Sequence, residues 1–502
     1  MQASPVIVDR KDPRFDTLKR GNNIRFPAND AEAASRIVLC SDAAEVSAAL
    51  QRVVASGLRP TVRSGGHCYE DFVANNPNGV IIDLCLHNRV DAAASGHPFR
   101  IASGARLGEV YQTLYKRYNV TLPAGTCYMV GAGGHISGGG YGLLARQHGL
   151  TVDWITAIDI LTIDPHGKVV ERRIDKTRDP ELFRACRGAG GGNFGIITNF
   201  YFDTLPTSPR QVAEASVSFP WSSLTEEKFS RLLALYGDYW NGPGRTPETW
   251  GLSVVLTLGP SKHGAGNINI AAQYCDANGN ASDLSVLYDF YDRFAELMPP
   301  HDAGKSGKSG TSKAERYGVK LRPWLEATLA GSDSGGVVRA KYKSTYMKKP
   351  FVQAECHTLY KFLNSPNIDA HGFVLAIDGY GGATNNPDRI QDTAIAQRSS
   401  IMKLQWQCYW AEASEDAARL KFMDNFYTAM YTGSHVPPEY QGTPFGEHYE
   451  GCYMNYADAD MIRYAHWPQL YYGVAGLYPL LQQVKKQYDS NNIFHSSMSV
   501  RA

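Results

Sequence analysis

The sequence predicts a two-domain protein of the α+β class. Its 502 residues exceed the size that one hydrophobic core usually serves. Segments with helical and with strand periodicity alternate from about residue 34 to residue 205, whereas period-2 alternation dominates from about residue 206. Such alternation is typical of a sheet that has one covered face. We therefore expect a mixed domain first and a sheet-based domain after it.

The first part of the chain is predicted element by element. Asp42 is a suitable N-cap for a helix that runs to about Ser56, because apolar residues recur there at helical spacing. Pro165-His166-Gly167 is typical of a hairpin turn. The other elements expected in this part are strands at 60–63, 79–84, 155–163 and 168–170, and a helix from Leu107 to Tyr118.

The second part is predicted as strands joined by long polar loops. The stretch from His301 to Ser312 is rich in Gly, Ser and Lys, and it lacks the spacing of a phosphate-binding turn, so it indicates an ordinary loop. After about residue 450, a helix at 480–488 leads into the closing segment. The strands expected in this part lie at 212–219, 251–258, 268–274 and 373–377.

Composition disfavours several classes of partner. The formal net charge is +1 and no basic run occurs, so nucleic acid is not an expected partner. The longest apolar runs are shorter than the ~20 residues that cross a bilayer, so no membrane span is expected. The start of the chain lacks a basic segment followed by an apolar stretch, which predicts a cytoplasmic protein, with secretion left open for a trimmed chain. Monomer and dimer are both compatible with the sequence.

Cysteine and histidine spacing predicts no metal site. The nine cysteines are scattered and form no C-x-x-C, so neither a zinc ribbon nor a disulfide framework is indicated. His357 and His448 show no metal-ligand spacing with each other or with acidic neighbours. We expect eight of the thiols to be ordinary buried residues, and Cys127 to be the exception.

Two glycine-rich turns predict a cofactor site. Residues 121–142 read T-L-P-A-G-T-C-Y-M-V-G-A-G-G-H-I-S-G-G-G-Y-G, so backbone amides can approach a ligand closely. Upstream, residues 63–69 read R-S-G-G-H-C-Y and place a histidine after a second glycine turn. The two turns predict a large phosphorylated cofactor held at two points. The Rossmann and Walker spacings are both missing, which disfavours a nicotinamide-dependent dehydrogenase and nucleoside triphosphate chemistry.

Five segments, in order along the chain, resemble the vanillyl-alcohol-oxidase superfamily, and more closely its berberine-bridge-enzyme-like branch. They are R-S-G-G-H at 63–67, A-G-T-C-Y-M-V-G-A-G-G-H-I-S-G-G-G-Y-G at 124–142, R-G-A-G-G-G-N-F-G-I-I-T at 187–198, Y-M-N-Y-A-D at 453–458 and D-S-N-N-I-F at 489–494. Ser490 departs from the proline usual in that branch. The resemblance implies a discontinuous FAD-binding domain at 1–205 and 450–502, around a substrate domain at 206–449 that is built on a large antiparallel sheet.

The same resemblance implies that FAD is attached twice, through His67 to the 8α carbon and through Cys127 to the 6-position. A thiolate is the better nucleophile, and backbone amides around Cys127 favour it. Val130 matches a position at which a small residue leaves room for dioxygen, which favours an oxidase. The other residues expected to contact FAD are Arg63, Ser64, Gly65, Gly66, Gly131, Gly133, Gly138, Gly139, Gly195, Ile197 and Tyr456. His135 is expected to be structural.

The resemblance assigns the catalytic base to Tyr453. A phenol with a pKa near ~10 is a poor base at neutral pH, so a carboxylate is needed to accept or share its proton. Asp378 is the predicted carboxylate, with Tyr380 as an alternative partner. Tyr69, Tyr380 and Trp406 are the predicted substrate-contacting residues, although plain sheet packing is the preferred interpretation of the aromatic segment that contains Trp406.

Together these expectations describe an FAD-dependent oxidase that converts a sugar or hemiacetal hydroxyl to a lactone and reduces dioxygen to hydrogen peroxide. One alternative is a tailoring oxidase that acts on a glycosylated natural product or another secondary-metabolite alcohol. The second alternative is a flavin-carrying binding protein without turnover, which the presence of Tyr453 and Asp378 disfavours.

Overall fold

Three β-sheets organise the chain in a computed structural model that describes residues 5–92, 98–262, 267–298, 312–330, 336–474 and 476–502. The first is a four-stranded sheet with the order β1-β2-β4-β3, in which β2, β4 and β3 run parallel and β1 is antiparallel. Its strands are β1 (Val6–Asp9), β2 (Arg36–Leu39), β3 (Pro60–Arg63) and β4 (Val80–Asp83).

The second sheet has five antiparallel strands in the order β5-β6-β9-β7-β8. These strands are β5 (Val90–Asp91), β6 (Phe99–Ala102), β7 (Ala157–Ile163), β8 (Val169–Asp175) and β9 (Ile196–Phe202). The third sheet has seven antiparallel strands in the order β13-β10-β12-β11-β15-β16-β14. They are β10 (Gln211–Pro220), β11 (Leu252–Leu258), β12 (Asn267–Tyr274), β13 (Lys320–Pro323), β14 (Arg339–Met347), β15 (Phe373–Gly379) and β16 (Met402–Trp410).

Helices connect and cover these sheets. None of them, within the described ranges, is long and apolar enough to cross a membrane. They are α1 (Phe15–Leu18), α2 (Ala43–Ala55), α3 (Leu107–Tyr118), α4 (Ala132–Ser137), α5 (Ala145–His148), α6 (Pro180–Ala185), α7 (Glu226–Asn241), α8 (Ser285–Asp292), α9 (Lys313–Arg316), α10 (Trp324–Ala330), α11 (Gln353–Asn364), α12 (Asp388–Asp392), α13 (Asp416–Met430), α14 (Trp467–Tyr472) and α15 (Leu477–Tyr488).

Local signals predicted the first part well. The Asp42 side chain accepts a hydrogen bond from Glu45 N (2.8 Å) at the start of α2, as expected of an N-cap. Helix α3 and strand β3 have the predicted bounds. The expected α+β class is confirmed. The predicted loop at 301–312 lies outside the described residues except for Ser312, which caps α9.

The strands expected in the second part are present as β10, β11, β12 and β15, but three long helices lie where loops were expected. Helices α7, α11 and α13 cover one face of the seven-stranded sheet, and Tyr236 of α7 donates to the carbonyls of Val254 and Ile377. Phe229, Leu232 and Tyr236 recur at helical spacing within α7, so the sequence did carry this signal.

All strands of the seven-stranded sheet fall within residues 211–410, which supports the predicted division into 1–205 with 450–502 and 206–449. That division stays a prediction.

A buried lysine holds the closing segment of the chain in place. Lys485 of α15 is fully buried, and its ammonium group lies 2.7 Å from Asp489 Oδ2 and donates to Asn193 O (2.8 Å). This contact joins the end of the chain to the glycine-rich loop at 187–198.

Candidate active site

A cavity of about 760 Å³ lies between the two glycine turns and the seven-stranded sheet. Both residues predicted to attach the cofactor line it: His67 is half-buried and Cys127 is exposed. Burial, aided by the charge of Arg106, lowers the pKa of His67 to about 4. The imidazole is therefore neutral at physiological pH, which is the nucleophilic form.

The glycine turns contact each other and leave room beside the cavity. A Cβ atom on Gly65 would lie 2.2 Å from Gly131 N, so a side chain on Gly65 would separate the two turns. Gly134 and Gly192 line the cavity, and a Cβ on either would meet no atom within 4 Å. A large flat cofactor can therefore approach this backbone closely, and the residues present fit a dinucleotide such as FAD.

Most residues predicted to contact the cofactor line this cavity. Arg63 also lines it, but its guanidinium is engaged by protein groups: it pairs with Asp83 (2.6 Å) and donates to the carbonyls of Leu18 and Arg20. It therefore supports the turn rather than being available to a ligand. The residues found at the cavity are Ser64, Gly65, Gly66, Val130, Gly131, Gly133, Gly195, Ile197 and Tyr456.

Gly138 and Gly139 do not line the cavity, and the expectation that they approach the cofactor needs correction. A Cβ on Gly138 would lie 2.0 Å from Asn455 Oδ1, and one on Gly139 would lie 3.3 Å from Tyr453 Cε2. Gly139 also has a φ of +127°, which favours glycine. These glycines make room for Asn455 and Tyr453 instead.

Tyr453 is buried with its hydroxyl among hydrogen-bond donors. Gly140 N donates to Tyr453 Oη (3.1 Å), and Asn455 Nδ2 donates to the same oxygen (3.0 Å). Burial raises the pKa of Tyr453 above its ordinary value, and Asn455, the charge of Lys403 and the amides of Tyr141 and Gly140 offset only part of that rise. These donors and this cation stabilise the phenolate, which is the form that can take a proton from a substrate.

Lys403 places a cation at this site, and its role was not predicted from the sequence. Its ammonium group is fully buried, 6.0 Å from the Tyr453 ring centroid and 4.6 Å from that of Tyr456. It pairs with Asp378 Oδ2 (2.5 Å), the residue directly opposite on the neighbouring strand β15. It also donates to Tyr456 Oη (3.4 Å).

The role expected of Asp378 therefore changes. Asp378 lines the cavity with Tyr453, as expected, but the contact it makes is with Lys403. The hydroxyl of Tyr453 is held by amide donors instead. Asp378 thus balances the lysine charge, and Lys403 is near both this carboxylate and the Tyr453 ring. Only the pairing of β15 with β16 identifies Lys403, and strand pairing is not readable from one sequence.

Strand alternation decides which side chains of β16 reach the cavity. Gln405, Gln407 and Tyr409 line it, together with Tyr342 of the adjacent β14. Tyr69 stacks on Tyr342 with ring centroids 3.5 Å apart, and it accepts a hydrogen bond from Gln405 Nε2 (2.9 Å). The prediction that Tyr69 lies at the pocket agrees with this placement. The two glutamines were not predicted.

Trp406 has the opposite orientation, so its predicted contact with substrate is wrong. It is fully buried on the helix-covered face, with its ring centroid 5.1 Å from Phe426 and 5.3 Å from Tyr427 of α13. Successive side chains of a strand point to opposite faces, so Trp406 cannot share a face with Gln405 and Gln407.

Tyr380 is also a core residue rather than a pocket residue. It is almost fully buried, and its hydroxyl donates to Gln397 O (3.1 Å). Its carbonyl accepts from the buried guanidinium of Arg146 (2.6 Å). It is therefore neither a substrate contact nor a hydrogen-bond partner of the Tyr453 hydroxyl. His135 Nε2 accepts from Gly125 N (3.0 Å), which is the structural role expected of it.

Comparison with known proteins agrees with this geometry. A family model for an FAD-binding domain matches residues 34–172, and a second, described as berberine and berberine like, matches residues 452–501. Aclacinomycin-N/aclacinomycin-A oxidase of Streptomyces galilaeus is 34% identical over 99% of this chain and 90% of its own length. Hexose oxidase of Chondrus crispus is 33% identical over 98% of this chain and 94% of its own length.

Among solved structures, the crystal structure of an aclacinomycin oxidoreductase superposes with a TM-score of 0.87 at 31% identity, and the match covers 99% of this chain and all of that one. Two family models and two relatives matched over at least 90% of their own length agree on the family of this chain. The chain belongs to the berberine-bridge-enzyme-like family of FAD-dependent oxidoreductases, within the vanillyl-alcohol-oxidase superfamily.

Proposed function

We propose that this FAD-dependent oxidase acts on a hydroxyl group of a sugar, at a hemiacetal carbon, and that Tyr453 is its base. One observation carries the proposal: the buried phenol oxygen of Tyr453 accepts two hydrogen bonds beside Lys403, in the cavity that also holds His67 and Cys127. FAD held in this cavity would supply hydride uptake and the transfer of two electrons to dioxygen, with hydrogen peroxide as the second product.

The chain's own residues handle the proton. The ionised Tyr453 accepts the hydroxyl proton of the substrate as the C–H bond at the same carbon is broken, so that the hemiacetal becomes a lactone. Asn455 and the amides of Gly140 and Tyr141 hold the phenol oxygen before and after the transfer. Lys403 favours the ionised form, and Asp378 keeps the lysine charge balanced in the buried site.

We further propose that FAD is attached through His67 and Cys127. His67 would hold the cofactor at its 8α carbon, and its neutral imidazole has the free lone pair that such a link would need. Cys127 is exposed at the wall of the same cavity, at a position suited to attachment at the 6-position. Two attachments hold the cofactor in a site with a wide mouth, and they change its electronic properties.

The cavity wall supports a sugar as substrate. Gln405, Gln407 and Tyr409 offer amide and hydroxyl groups, and amides can donate to and accept from neighbouring sugar hydroxyls. Tyr69 and Tyr342 add flat apolar surface beside them, on which a sugar ring can lie. Val130 also lines the cavity, and its small side chain leaves space for dioxygen.

A glycosylated natural product is the second candidate substrate. The row formed by Gln405, Gln407 and Tyr409 extends along β16 away from Lys403, so a sugar at the base can carry a larger group along this wall. The relatives support both candidates, since one is named for hexose and the other for aclacinomycins.

A peroxide-coupled screen tests the proposal. The holoprotein is mixed with free monosaccharides, oligosaccharides and glycosylated aromatic compounds, and the product is analysed by mass. We expect peroxide together with a product two mass units lighter than its substrate, or its hydrolysed acid. Oxidation confined to non-sugar alcohols would contradict the proposal.

A further inference from the structure

The protein has a second cavity, separate from the active site. The segment at 392–395 lies between the two. Its volume is about 340 Å³, and residues 148–156 and 383–392 form much of its wall. Three cationic side chains line it: Lys176, Arg187 and Arg389. A cavity of this size accommodates a phosphate group with part of the molecule that carries it.

Positive charge is in excess at this cavity. Lys176, Arg187 and Arg389 all pair with one carboxylate, Asp392, at 3.3, 2.9 and 3.0 Å. The other acid of the wall, Asp153, is already paired with the buried Arg398 (2.7 Å). Three cations therefore share a single carboxylate, and their mutual repulsion favours a second anion nearby.

One nitrogen atom in each of two buried guanidinium groups also lacks an acceptor. The Nε atoms of Arg187 and Arg398 are both buried and donate to no acceptor among the residues that the structure describes. Arg187 lines the cavity, and Arg398 holds its Asp153. A buried donor without an acceptor destabilises the folded protein, so an oxyanion that supplied an acceptor to it would be stabilised.

We propose that this cavity binds a tetrahedral oxyanion of the phosphate class. Arginine forms paired hydrogen bonds with such anions, and Lys176 at the rim adds a mobile charge. The anion comes either as free inorganic phosphate or as the phosphate group of a small metabolite.

The site is linked to the base by a short segment. Ala394 N donates to Arg187 O (2.9 Å), and a Cβ on Gly139 would touch both Ile395 Cδ1 and the Tyr453 ring. The segment from Asp392 to Ile395 thus contacts the anion cavity at one end and packs beside the base at the other.

The test uses holoprotein with FAD in place, so that phosphate cannot occupy the cofactor site. Thermal unfolding is measured with inorganic phosphate, with glucose 6-phosphate and with glucose, each against sodium chloride at equal ionic strength. We expect saturating phosphate to raise the unfolding midpoint by about 2 °C or more beyond chloride. A larger effect of glucose 6-phosphate than of phosphate identifies a phosphorylated metabolite as the ligand.

The variants K176Q and R389Q should each lose most of this stabilisation while unfolding at nearly the wild-type midpoint in chloride. The matched control is R231Q, which removes an exposed arginine on α7 and should keep the full effect. An equal midpoint in phosphate and chloride overturns the proposal, and so does undiminished stabilisation in the double variant K176Q/R389Q. Thermal unfolding is measured without turnover, so the results for the wild type and for the variants do not depend on which substrate the enzyme oxidises.

Discussion

Lys403 and Asp378 face each other across strands β16 and β15, with Nζ 2.5 Å from Oδ2. The lysine also lies over the rings of Tyr141 and Tyr456 and near that of Tyr453. A buried lysine beside one carboxylate and three phenols favours ionisation of a nearby phenol. Burial raises the pKa of all three, and the amide donors on Tyr453 offset part of this rise, so the pKa of Tyr453 is raised less than those of Tyr141 and Tyr456.

Replacing Lys403 with Met should raise the pKa of Tyr453 and slow reduction of the flavin. A unit charge about 6 Å away contributes roughly 3 kcal/mol at an effective dielectric constant of about 20, or about two pKa units before Asp378 offsets part of it. We expect reduction at pH 7 to fall roughly tenfold to a hundredfold, and to recover as the pH rises. Anaerobic stopped-flow from pH 6 to 10 measures this.

The charge-conserving variant Lys403→Arg is the matched control and should keep the pH profile closer to that of the wild type. A Lys403→Met enzyme whose rate is low but independent of pH would mean that the lysine only supports the packing of the site.

Cofactor attachment is tested with His67→Ala, Cys127→Ala and the double variant. Each single variant should retain one link, and the double variant should release all flavin on denaturation. The measurement is the absorbance of protein precipitated with acid, followed by the mass of the flavin-bearing peptides. Colour that stays with the denatured double variant would show that attachment uses another residue.

Replacing Val130 with Leu should slow the oxidative half-reaction selectively. The larger side chain reduces the space beside the cofactor, while the base and its donors are unchanged. We expect the rate constant for reaction with dioxygen to fall by an order of magnitude or so, with little change in anaerobic reduction. Val130→Ala serves as the control, and equal losses in both half-reactions would indicate general disruption of the turn.

Stability should depend on the protonation of His135. Burial lowers its pKa to about 4, from an ordinary value near 6.5, so the unfolded state binds a proton in this pH range that the folded state does not. The folded state therefore loses stability as the pH falls from 6.5 to 4, by up to about 3 kcal/mol from this group.

Urea unfolding of wild type and His135→Gln at pH 4.5, 5.5 and 7 measures this dependence. The variant should lose less stability than the wild type between pH 7 and pH 4.5. Parallel losses in the two proteins would mean that His135 is protonated in the folded state as well. Comparing the two proteins cancels the contributions of other groups, such as Glu355, whose pKa burial raises to about 7.

Sequence patterns predicted the features that depend on residues close together in the chain. They did not predict the features that depend on which β-strands pair. Helix α2 begins at Asp42 because a cap and helical spacing lie within one short segment. The motif residues His67 and Cys127 lie on one cavity, as expected. Lys403 was missed because its importance comes from a neighbour on another strand. Trp406 was assigned to the wrong face because the face of a strand cannot be read without its covering helix.

The most direct test of the account is anaerobic stopped-flow on Tyr453→Phe with the substrate that the screen identifies. This variant keeps the ring that packs beside Tyr346 and Tyr456 and removes only the hydroxyl. The account predicts that flavin reduction slows by about 10²–10⁴-fold, while the substrate dissociation constant obtained from the same traces changes little. An unchanged rate of reduction would contradict the account, because another group would then be taking the proton.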